Sequence, residues 1–128
     1  MSYHFSKTLD VPFDAAIAKA TEALKREGFG VLTEIDVQNT LKQKIGVDFR
    51  KYRILGACNP GLAHRALEAE DKIGTMLPCN VIVQEHADGK VEVSAIDPIA
   101  SMQAIHNPAL AGVAAEVQGK LKRVIETL

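Results

Sequence analysis

The sequence lacks an excess of either charge: 15 lysines and arginines stand against 16 aspartates and glutamates, for a formal net charge of −1. A chain so balanced has no broad positive field to hold phosphates, and no local concentration of basic residues supplies one, so nucleic acid is not an expected partner. It also lacks a long apolar run, so neither a transmembrane helix nor a membrane partner is expected. Residues 1–10 alternate polar and apolar side chains with no basic head before an apolar stretch, and read as a strand rather than a signal peptide. Cysteine is scarce, with only Cys58 and Cys79. Without an export signal, two thiols point to a reducing, cytoplasmic setting in which both stay free.

The signatures of several chemistries are missing too. His4, His64, His86 and His106 lack the spacing of a metal pair on a helix or strand, and no acidic cluster completes a ligand set, so no metal site is expected. There is no glycine-rich phosphate loop and no serine elbow. Gly28-Phe29-Gly30 is a helix stop running into a strand, and Met76 and Met102 read as core fillers. No cofactor is implied.

What is present is the composition of an ordinary globular protein, 47% apolar and 24% charged, in 128 residues. That length suits one domain with one core. Tyr3, Phe5 and Leu9 share one side of an alternating strand, with Lys7 interrupting it. Pro12 suits the opening of a helix that runs to about Glu27, with Phe13, Ile17, Ala20 and Leu24 as its inner stripe and Gly28 as its stop. A strand over 30–35 follows, and Asp36 caps a short helix carrying Val37, Leu41 and Ile45 that ends at Gly46. The run 52–57 is a strand whose apolar continuity places it inside a sheet. Asn59-Pro60 is a strong helix start, with Leu62, Ala63, Ala66 and Leu67 packing inward.

The hairpin around Ala87, Asp88 and Gly89 admits two registers. A two-residue turn sets Glu85 against Glu92 and mixes apolar with polar faces. A three-residue loop with Gly89 left-handed gathers Val81, Val83, Val91, Val93 and Ala95 on one face, so this register is preferred. It sets Val83 opposite Val93 and Cys79 opposite Asp97. The final helix runs from about Pro108 to Thr127 behind an Asn107 cap, with Val113, Val117, Leu121 and Val124 facing a sheet. Strands alternating with helices and then a hairpin predict a single α+β domain, a mixed or largely antiparallel sheet with helices packed mainly on one side.

The run Tyr52-Arg53-Ile54-Leu55-Gly56-Ala57-Cys58-Asn59-Pro60, then Ala63, Ala66-Leu67, Ile73-Gly74, Leu77-Pro78-Cys79-Asn80 and Asp97-Pro98, resembles the domain of unknown function 302 family over nearly all of the chain. The resemblance implies a small α+β fold without an established general activity, and a homodimer.

Chemistry would concentrate at the two Cys-Asn motifs. Cys58 stands just ahead of a helix N-terminus, where the dipole and free amides favour a thiolate; buried, it would be only a small hydrophobe. Cys79 is the weaker nucleophile, because an ionised Asp97 beside it would oppose its charge. Asp97 is either part of a site or the cap of the segment after Pro98, and Asn59 is explained by its cap position. Asn80 has no such explanation and could hold a loop or a ligand. Arg53 could anchor a carboxylate or phosphate, or form a surface ion pair. The readings are a domain binding a small, even anionic, ligand or a protein partner at Cys58, Asn59, Cys79, Asn80, Asp97 and Arg53; thiol redox or sulfur transfer with Cys58 as nucleophile and Cys79 as resolving thiol; or motifs that only stabilise the fold. A regular crossover after Cys58 would leave the two thiols at opposite sheet ends, whereas the stretch 71–78 could instead carry the chain back.

Overall fold

A computed structural model describes residues 2–128. Five strands, β1 (His4–Leu9), β2 (Gly30–Asp36), β3 (Tyr52–Cys58), β4 (Cys79–Glu85) and β5 (Val91–Ile96), form one sheet in the order β1-β5-β4-β3-β2. Every neighbouring pair is antiparallel, which resolves the choice between a mixed and an antiparallel sheet. The helices are α1 (Phe13–Arg26), α2 (Val37–Ile45), α3 (Pro60–Ala69), α4 (Pro98–Ser101) and α5 (Ala111–Glu126).

The core lies between α1, α5 and one face of the sheet. Leu55, Val81, Val83 and Val93 point from the strands into it with no exposed surface, and Leu24, Leu121 and Val124 meet them from the helices. The terminal helix therefore buries the predicted stripe. Its start differs from a continuous helix, since Pro108–Leu110 form a 3₁₀ turn in which Asn107 Oδ1 accepts the Ala109 N–H at 3.0 Å. Lys7, the interruption in the apolar side of β1, bends its ammonium to the end of α5 and donates to Leu128 O at 2.6 Å and Glu126 O at 3.2 Å. A cation there complements the negative end of the helix.

The hairpin adopts the three-residue loop. Val83 pairs with Val93 and Gln84 with Glu92; His86 N donates to Lys90 O at 2.9 Å and Gly89 sits at φ +84°. That backbone angle suits glycine, which has no Cβ to clash. The β4–β5 ladder runs only as far as Val81 with Ala95, so Cys79 and Asp97 lie beyond its paired residues.

Two details depart from expectation. Pro12 is the extended N-cap of α1, at ψ 155°, and the helix begins one residue later. Leu67 is 44% exposed, because α3 is covered only along its Leu62 and Ala66 line. α2 lies against β3 and β2 with Val37 and Leu41 half-buried, but none of its residues is fully buried and Ile45 at its end is 66% exposed.

Gly56 is the tightest backbone position. A Cβ there would press on Thr33 Oγ1 and come within 2.8 Å of Pro78 Cγ. Overfilling a packed site costs about 1–3 kcal/mol. Gly56→Ala is expected to lower the unfolding free energy measured by urea titration by an amount in that range, with part of the loss recovered in Gly56→Ala/Thr33→Ala.

Candidate functional site

The antiparallel pairing of β3 with β4 sets Ala57 opposite Cys79. Cys58, one residue further along β3, and Cys79, the first residue of β4, therefore share one end of the sheet. The stretch after α3, including a 3₁₀ turn over Ile73–Met76, carries the chain back past that end instead of crossing to the other.

A cleft opens between this sheet end and helices α3, α4 and α5. Cys58, Cys79, Leu62, Ala66, Met102 and Val113 are among its walls; its volume is about 30 Å³, on the scale of one small apolar group, and no charged side chain lines it. A second, wider groove of about 280 Å³ lies on the other side of Cys79 and Met102, lined also by Asn80, Thr75, Ser101 and Ile96. Cys79 and Met102 are common to both.

Cys58 is partly exposed and Cys79 is buried, and neither is in a disulfide. Burial pushes the Cys79 thiol up to about 11, and the nearby Cys58 adds to the rise. Loss of hydration disfavours the charged thiolate, and a second negative group disfavours it further. Both effects hold Cys79 as the protonated thiol, and the expected repulsion from Asp97 is replaced by burial and by Cys58.

Asn59 is fully occupied as the cap of α3. Its Oδ1 accepts the Leu62 N–H at 3.3 Å, while Nδ2 reaches the Glu27 carbonyl at 3.5 Å. Asp97 caps α4 by accepting the Ile99 N–H at 3.0 Å, and both its oxygens accept from Gln118 Nε2 at 3.1 and 3.2 Å. Gln118 was not legible as a site residue; it lies 21 positions from Asp97 on another element, and only the packing of α5 beside α4 joins them.

Asn80 is exposed in the groove, and among the described residues its amide makes no hydrogen bond. Arg53 belongs elsewhere. It lies five residues back along β3, about 17 Å at strand spacing, and pairs with Glu34 and with Asp36 at 3.6 Å. The site therefore brings together Cys58, Asn59, Cys79 and Asn80, sets Asp97 behind α4, and leaves Arg53 out.

Among the described residues no group of three or more His, Cys, Asp or Glu could hold a metal, and no helix is long and apolar enough to cross a membrane. Fold and site together define an α+β domain with a single antiparallel sheet and a small uncharged cleft at one sheet end. The chain belongs to the family described as Domain of unknown function DUF302, which matches residues 5–128. It is similar to the crystal structure of an uncharacterized conserved protein DUF302 from Bacillus stearothermophilus, with 30% identity, 98% of each chain covered and a TM-score of 0.91. No curated protein matches it.

The raised thiol pKa has a consequence for stability. Below the ordinary value of 9.0 the Cys79 thiol is protonated whether the chain is folded or not; above it the unfolded chain ionises first. Stability is expected to fall as pH rises from about 9 through about 11. Cys79→Ala should remove that part of the fall in urea titrations.

Proposed function

We propose that this protein is a binding domain for a small, uncharged molecule held at the sheet end where the two Cys-Asn motifs meet. The observation that carries this reading is the lining of the cleft, which is apolar apart from the thiols and the Asn59 amide. Small-molecule sites are commonly concave and mostly apolar, with a few polar groups that fix orientation. An anionic ligand has less support: no lysine, arginine or histidine lines either the cleft or the groove, and the amide that could have served at the α3 start is taken up by its cap. A buried anion without such partners is costly.

Xenon is a suitable first probe, because it reports apolar space without hydrogen bonding. Amide resonances of Leu62, Ala66 and Val113 are expected to shift under xenon pressure, and Ala114→Leu, which fills the cleft wall, should abolish the shifts. Unperturbed resonances in the parent protein would remove the basis of the proposal.

A second reading, thiol redox or sulfur transfer, has one supporting observation: both cysteines line one cleft. Cys58, the more exposed thiol at the α3 start, would be the nucleophile. Cys58 is expected to react with iodoacetamide at neutral pH at least about tenfold faster than Cys79, as a fully protonated thiol is a poor nucleophile. Peptide mapping of the alkylated sites decides it, and equal rates seen only on unfolding would dispose of this reading.

A further inference from the structure

Resting on the binding reading, we propose that the ligand is a short, uncharged amphiphile. Its apolar end occupies the cleft, its hydrogen-bonding head lies on Asn80 in the adjoining groove, and Met102 is the movable partition between them.

The two spaces have two walls in common, Cys79 and Met102. Cys79 is fixed in a strand, but Met102 follows the last residue of the four-residue helix α4 and is only partly buried. Methionine is unbranched, with three rotatable side-chain bonds, so it can move aside at little cost. The cleft of about 30 Å³ and the groove of about 280 Å³ share Met102 as a wall, so its displacement would open each toward the other. The inner, cleft end is apolar and the outer, groove end mixed.

Asn80 marks the outer end. The chain has four asparagines. Asn59 and Asn107 cap helices, and Asn107 Nδ2 also donates to Ala69 O at 2.8 Å; Asn39 Oδ1 accepts from Gln43 at 3.3 Å. Asn80 alone among them has a free amide, able to donate and to accept. Beside it, Thr75 and Ser101 already donate their hydroxyls to Lys72 O at 2.9 Å and Pro98 O at 3.2 Å, which leaves their oxygens as acceptors. A head group with both a carbonyl and an N–H or O–H meets this set. A charged head does not, since neither lining carries an opposite charge and the Cys79 thiol is neutral. The other grooves on the surface do carry charges, Asp36, Lys42 and Asp48 around one and Arg50, Lys51 and Glu85 around another. Unlike those two grooves, this end of the sheet suits an uncharged head.

The test is a titration of the protein, labelled with ¹³C at its methionine methyls, with hexanamide, hexanoate and hexylammonium at neutral pH. Hexanamide is expected to shift the Met102 methyl and the Asn80 side-chain amide, while hexanoate and hexylammonium bind at least about tenfold more weakly, as an unpaired charge loses hydration on entry. Asn80→Ala should weaken hexanamide about fivefold, the value of one hydrogen bond, and leave the xenon shifts unchanged. Hexanoate binding as tightly as hexanamide, or hexanamide indifferent to Asn80→Ala, overturns the proposal. Xenon binding without hexanamide binding overturns the amphiphile alone and leaves the cleft reading intact, whereas loss of both overturns the two together.

Discussion

The antiparallel pairing of β3 with β4 is the constraint on which the candidate site depends. It sets Ala57, the residue before Cys58, opposite Cys79, the first residue of β4, so one sheet end receives both Cys-Asn motifs. A parallel pairing would have separated them by the length of the sheet. The same register sets Leu55 against Val81 on the core face and Gly56 against Asn80 on the other. Gly56 is the position at which Thr33 and Pro78 close over the backbone, and this contact lies directly beside the turn into β4.

Once the strands are paired, the cleft follows from small side chains. Ala57 on β3, Ala63 and Ala66 on α3 and Ala114 on α5 meet around it, where larger residues would have filled the space. Elsewhere the same helices close tightly with leucine and valine, and Leu121 and Val124 have no exposed surface. Asp97 holds the rim. By capping α4 and accepting from Gln118 it ties the end of β5 to α5, and so fixes the short helix from which Met102 emerges.

Much of the fold was legible because its determinants are local. The Asn59-Pro60 start, the Asp36 cap and the Gly46 stop each act within a few residues, and each is found where the local chemistry puts it, while the Asn107 cap opens a 3₁₀ turn ahead of α5. The hairpin register was legible for a related reason: loop length fixes every cross-strand neighbour, and only one loop separates the apolar from the polar face. The exposed Leu67, read as packing inward, shows the limit of such reasoning. An apolar stripe is visible in the periodicity, but whether another element lies over it depends on distant parts of the chain.

The candidate site divides along the same line. The sequence by itself determined some local roles, Asn59 as a cap, Cys58 ahead of a helix and Asn80 without a local partner, and left Asp97 open between a cap and a site residue. Tertiary structure decided which of these meet. It brought Cys58 and Cys79 to one cleft, drew Gln118 to Asp97, set Met102 in the walls of both the cleft and the groove, and left Arg53 paired with Glu34 and Asp36 of β2, five residues back along β3. The physical reason is range. Caps and turns are satisfied within one turn of backbone, whereas a cavity is the gap left between elements that pack from opposite ends of the chain, and no short stretch of sequence specifies that gap.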